Sequence, residues 1–298
     1  AGDAAAGRAA QAEAEALIAA RGLEFLRKQD AALWLELAAT APAAVPAPEG
    51  MVVKLFGELE LLRGDVRVDD WPRRKAKLLL AALALYPRGL SLVELAEILA
   101  DGQVGQAAVM IVQTNVSALR RVLGGEQAKA AIPFADERYR VAEGLLAGCD
   151  VWTFEQAARK GLALRDTRPM DAVAPLEQAL ACYRDNLLAE PFFERYFEAE
   201  RERLRQQALA CLYHLAAARS GLGDFAGAEA DLQRATQLAP TEWEAYRRVM
   251  EHQAERKRPD QVRQAYWDYR KALKSRLRVV PDEACERAFK EALGSAEA

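Results

Sequence analysis

The sequence predicts a mostly α-helical chain with a small β part, a winged-helix domain followed by an all-α, tetratricopeptide-like helical-repeat domain. Two observations carry that reading. From Met51 onward the residue patterns run strands, three helices, hairpin. Beyond Asp150 nearly everything is helical and the helices come in recurring pairs.

The 298 residues suffice for two domains, each with a core. Formal net charge is −3, so any nucleic-acid contact must come from a local patch rather than from the chain as a whole. The longest apolar run, LLLAALALY at 78–86, is far short of the roughly 20 residues that cross a bilayer. No basic stretch followed by an apolar one opens the chain, so no signal peptide and a cytoplasmic location are expected. Cys149, Cys182, Cys211 and Cys285 are scattered without a C-x-x-C pair, which suits reduced thiols better than disulfides or zinc. His214 and His252 fall inside helical patterns and are read as surface or half-buried helix residues, not as ligands or bases.

The chain begins at Ala1 without a Met and is read as a processed or excised form, which leaves an upstream module open. Residues 1–40 are rich in Ala, Leu and Glu and read as two helices broken near Arg21–Gly22. Residues 41–50, with three prolines, read as a semi-stiff linker.

The winged-helix domain is placed at 51–147. MVVKLFGELELL has strand composition, and RGDVRV reads as a turn and a second short strand. After Trp71–Pro72, RRKAKLLLAALAL is a helix with a basic first turn and an apolar remainder. In PRGLSLVELAEILA, Ser91 and Glu94 have the spacing of a capping box. A connection, DGQVGQ, leads to a third helix at 107–123, stopped by Gly124–Gly125. AAIPFA and RYRVAE flank Asp136–Glu137 as a hairpin.

The helical-repeat domain is placed at 148–298. In ALACLYHLAAARSGLGDFAGAEADLQRATQLAP, the residues Leu212, Leu215, Ala216, Ala228, Leu232, Ala235 and Pro240 occupy tetratricopeptide-repeat offsets. Small residues let the two helices approach and larger ones fill the space between them, with Gly221 and Gly223 at the turn. A degenerate copy follows in TEWEAYRRVMEHQAERKRPDQVRQAYWDYRKAL, and an earlier one in FEQAARKGLAL with MDAVAPLEQALACYRDNLL. Such arrays are more often binding scaffolds than catalysts.

In this order the pieces resemble the SARP-type regulators, which join an OmpR-like winged helix to a bacterial transcriptional activator domain. KLFGELEL is similar to the family's opening strand pair and VSALRRVLG to its recognition-helix ending. DVWTFEQAA is similar to the start of the activator domain, and LKSRLRVVPDEACERAFKEAL to its closing helix. The likeness runs from about Met51 to Leu293. The turn Glu137-Arg138-Tyr139 stands where the family usually has Gly-Tyr, and Ala118 fills an often basic position.

The resemblance implies a sequence-specific regulator, an activator, that reads the major groove of double-stranded DNA with helix 107–123. There Val112, Val116, Leu119 and Leu123 form an apolar stripe, leaving Gln113, Asn115, Ser117, Arg120 and Arg121 as the expected reading face. Gln and Asn pair with adenine edges and Arg with guanine. Arg73, Arg74, Lys75 and Lys77 on the first helix and Arg138 and Arg140 on the hairpin are the expected phosphate or minor-groove contacts. Over 51–147 basic residues outnumber acidic ones by only one, so a homodimer on repeated half-sites, or RNA polymerase, would supply further affinity. By resemblance Asp101–Gln106 is a polymerase-facing loop.

No G-x-x-x-x-G-K-[ST], G-x-S-x-G or H-E-x-x-H is present, so neither an enzyme nor a cofactor or metal site is expected. The alternative is an interaction or signal-binding protein whose winged helix does not bind DNA. For either, Arg184, Arg195, Tyr196, Arg219, Tyr246 and Arg247 are candidates to line a groove for a small-molecule or peptide effector.

Overall fold

A computed structural model describes residues 50–124 and 128–298. The expected N-terminal helices, most of the Pro/Ala linker, and Gly125 lie outside the described residues.

MVVKLFGELELL does not form one strand. It folds into β1 (Met51–Lys54) and β2 (Glu60–Arg63), antiparallel with Val53 opposite Leu61. The chain turns between them at Gly57, whose φ of +95° suits glycine. Met51, Val53 and Leu61 point inward and are fully buried. β3 (Val66–Arg67) pairs with β2. A strand absent from the sequence reading, β7 (Leu146–Cys149), completes the sheet parallel to β1, in the order β3-β2-β1-β7.

Helix α1 (Arg74–Leu85) is buried on every side from Leu78 to Ala84, which is why its sequence is apolar without periodicity. Ser91 caps α2 (Leu92–Leu99), with Glu94 N donating to Ser91 Oγ and Ser91 N to Glu94 Oε2. Helix α3 (Gly105–Gly124) begins two residues before the expected start and buries Val112, Val116, Leu119 and Leu123. AAIPFA is only partly extended, because Ala130 and Ala131 close a short helix, α4 (Ala128–Ala131). β5 (Phe134–Ala135) and β6 (Arg138–Tyr139) then form the hairpin. Asp136 and Glu137 both have positive φ, which the two-residue turn of a twisted hairpin requires. β6 also pairs with β4 (Leu90–Ser91), giving a three-stranded wing sheet in the order β4-β6-β5.

The repeats follow as three helical hairpins and a closing helix. They are α5 (Asp150–Leu164) with α6 (Pro169–Cys182), α7 (Glu198–Gly221) with α8 (Phe225–Leu238), α9 (Trp243–Glu255) with α10 (Pro259–Arg276), and α11 (Glu283–Glu297). Leu212, Leu215, Ala216, Ala228, Leu232 and Ala235 are buried where the repeat pattern puts them. Gly161 lets α5 approach α6, since a Cβ there would lie 2.7 Å from the Leu176 side chain. His214 is half-buried, but His252 is 6% exposed, so the surface reading does not hold for it.

One hydrophobic core is continuous from the sheet through α1 to α7. At the junction, Asp150 accepts from Leu55 N at 2.8 Å and Phe56 N at 3.0 Å. The Phe56 ring packs edge-on to Phe154 and against Tyr183, and Trp152 Nε1 donates to Ala84 O. Glu190 accepts from Leu59 N and from Lys77 Nζ, so Lys77 belongs to this junction and not to an exposed basic face.

Candidate nucleic-acid interface

The exposed side of α3 follows from its buried stripe. At 100° per residue, Ser117 and Arg121 fall opposite Val112, Val116 and Leu119 and Gln113 falls to the side of that stripe, and all three are exposed. Met110 and Thr114 extend the same face, Met110 being 61% exposed.

Two expected readers are elsewhere. Asn115 is 4% exposed, because its angular position is beside Val112 and Leu119 rather than opposite them. Its Nδ2 donates to Ile111 O at 2.8 Å, one turn back. Arg120, at the edge of the face, donates from Nε and Nη2 to Ile132 O, at 3.0 and 2.5 Å. It fastens α3 to the segment that enters the wing. Ala118 is also buried, so that position faces the core and not a ligand.

Among the expected phosphate contacts, Arg73, Arg74 and Arg140 are exposed. Arg138 donates to Gly89 O at 2.8 Å and pairs with Glu94 at 3.2 Å, bracing the wing on the cap of α2. Lys75 donates to Leu99 O at 2.8 Å and to Asp101 at 2.6 Å. Arg73, Arg74 and Lys75 nevertheless share one concavity of about 610 Å³ with Met110, Ile111, Thr114 and Asn115. The start of α1 therefore flanks the exposed face of α3.

Asp101, in the left-handed region at φ +50°, gathers three partners. Besides Lys75 it accepts from Arg195 Nη2 at 2.7 Å and Tyr196 Oη at 3.1 Å, and the Arg195 guanidinium lies over the Tyr196 ring. Lys75 first, then Tyr196 and Arg195, hold its carboxyl below the usual aspartate range. Sequence reading missed Asp101, Asp150 and Glu190 as organising groups. Their only signal was an acidic residue in a helix-flanking position, which many solvated residues share.

The six residues expected to line an effector groove do not converge. Arg184 faces Asp150, while Arg195 and Tyr196 are at Asp101. Arg219 is held by Glu177, Asp224 and Asp231, and Arg247 by Glu244 and Glu251. Tyr246 is buried against Tyr269. Arg219 is drawn away by carboxylates on neighbouring helices, which sequence spacing does not reveal, whereas Arg247 is taken up within α9 by partners three and four residues away. Among the described residues no three His, Cys, Asp or Glu groups gather as a metal site, and no helix is long and apolar enough to cross a membrane.

The described fold joins a winged helix to a tetratricopeptide-like helical repeat. Residues 149–293 match the family model of the bacterial transcriptional activator domain. The chain is similar to the solved structure of Mycobacterium tuberculosis EmbR in complex with a low-affinity phosphopeptide, at TM-score 0.64 and 20% identity. That likeness covers 83% of this chain and 69% of the other, and at such identity it speaks for the fold. A search of curated proteins gives no match. Residues 149–293 thus match a bacterial transcriptional activator domain, joined here to a winged helix.

Proposed function

We propose that the chain binds double-stranded DNA sequence-specifically, with α3 in the major groove. The observation that carries this reading is the exposed row Gln113, Ser117, Arg121, one turn apart each, on a helix whose Met110 and Thr114 share a concavity with Arg73 and Arg74. Gln113 offers the paired donor and acceptor that suit adenine, and Arg121 the fork that suits guanine. Arg73, Arg74 and Arg140 have free reach to phosphates on either side. Lys75, Arg120 and Arg138 hold the scaffold that presents them.

The small number of unengaged cations supports cooperation with a second copy or with RNA polymerase, each adding affinity through effective concentration. The surface of the α2–α3 connection fits a protein partner, since Val104 is 83% exposed and the loop is anchored at Asp101. On this reading the chain acts as an activator in the cytoplasm.

Selection of the purified chain against random duplexes at two salt concentrations tests it, with Gln113→Ala/Arg121→Ala as comparator. An enriched motif that the variant loses supports major-groove reading by α3. Salt-sensitive binding without enrichment leaves phosphate contacts alone, and no binding at low salt favours an interaction protein.

A further inference from the structure

Remote from α3, a cavity of about 140 Å³ opens between α8, α9 and α10. Its walls include His252 and Gln253, which are 6% and 2% exposed. Each keeps a buried atom without a hydrogen-bond partner among the described residues, His252 Nε2 and Gln253 Oε1. Buried polar atoms are normally satisfied, so two orphans on one cavity point to something that fills it. His252 Nδ1 is already engaged, 3.2 Å from Ser220 Oγ, which leaves Nε2 for an occupant.

The chemistry of the walls selects among occupants. Two carboxylates, Glu229 and Asp268, line the cavity, and no Lys or Arg does. Arg258 approaches Glu229 at 3.4 Å, and Arg256 lies over the Phe225 ring, neither being part of the lining. Gln253 Oε1 can only accept, and burial keeps the imidazole neutral by lowering its pKa. With Nδ1–H donating to Ser220, Nε2 accepts as well. Glutamine amides and hydroxyls in the lining can donate as well as accept, but the only charges are negative, so the wall suits a cationic group with several N–H donors. The volume matches the roughly 150 Å³ that encloses one benzene, so the group has only a few heavy atoms.

We infer that this cavity binds a primary alkylammonium group, seated on Gln253 Oε1 and His252 Nε2 with Asp268 at the mouth. It constitutes an effector site in the repeat domain that does not depend on the DNA reading. Two sources share this chemistry, a free small amine and a lysine side chain.

The test uses the full chain, 15N-labelled, and follows the imidazole nitrogens during titration with n-propylammonium. With only two histidines in the sequence, a His214→Gln variant assigns the signals. A saturable shift of His252 is expected, weakened at least tenfold in Asp268→Asn and absent in Gln253→Met. Asp268 is exposed, so its variant retains the fold even if Gln253→Met does not. Nα-acetyl-lysine methylamide binding at least tenfold tighter than propylammonium identifies a lysine side chain as the source, and equal or weaker binding a free amine. The inference is overturned if propylammonium gives no saturable shift, if 1-propanol produces the same one, or if Asp268→Asn leaves affinity unchanged.

Discussion

Asp101 and Lys75 form a 2.6 Å ion pair across the winged helix, and the other Asp101 oxygen takes Arg195 from the activator domain. The start of α1, the α2–α3 connection and the chain ahead of α7 are thereby tied to one carboxylate. Lys75 is at once a wall of the concavity beside α3 and a partner of Asp101.

Removing that carboxylate releases Lys75 toward phosphate. In Asp101→Ala, affinity for non-specific duplex is expected to rise, and the slope of log K against log salt to steepen by about 0.9 for one added phosphate contact. A salt series on both proteins checks this, and an unchanged slope would mean that Lys75 does not reach DNA.

Arg120 and Arg121 are adjacent yet should separate cleanly. Arg121→Ala is expected to leave melting unchanged and to lose about 1–3 kcal/mol of discrimination at one base position. Arg120→Ala deprives the fully buried Ile132 of its carbonyl partner and should lower stability by about 1–3 kcal/mol. Paired denaturation and binding curves distinguish the two.

At Gly161 an added methyl meets Leu176 side-chain atoms at 2.7 Å and its backbone nitrogen at 3.2 Å. Gly161→Ala should cost about 1–3 kcal/mol through overpacking, despite the better helix propensity of alanine. The urea midpoint should fall with the slope m unchanged.

His252 and His214 both have pKa values lowered from 6.5, chiefly by burial. The unfolded chain then binds more protons than the folded one just below pH 6.5, so stability falls as pH drops through that window. Melting temperatures across the window should show this slope, and His252→Gln and His214→Gln should each remove part of it. A flat profile in the wild type would contradict the burial argument.

Local periodicity made most of the elements legible. The four-residue and three-residue spacing of Val112, Val116, Leu119 and Leu123 oriented α3, and Ser91 with Glu94 marked the start of α2. Asn115 was misread because a polar residue was taken as exposed, although its angle places it at the stripe's edge, where its amide bonds back to Ile111. Strand β7 carries no alternation of its own and exists through pairing with β1, 95 residues away at the Met51–Leu146 match. The expected groove failed in part for a related reason, since the partners of Arg219 on neighbouring helices are set by helix packing.

By itself the sequence determined the order of the main helices and of the wing hairpin, the buried face of α3 and the repeat offsets, because those follow from near-neighbour periodicity and capping. Only the tertiary structure decided which cations remain free for a ligand and how the winged helix joins the repeats. Those depend on carboxylates such as Asp101, Asp150 and Glu190 meeting partners far away in the chain, where no local pattern records the contact.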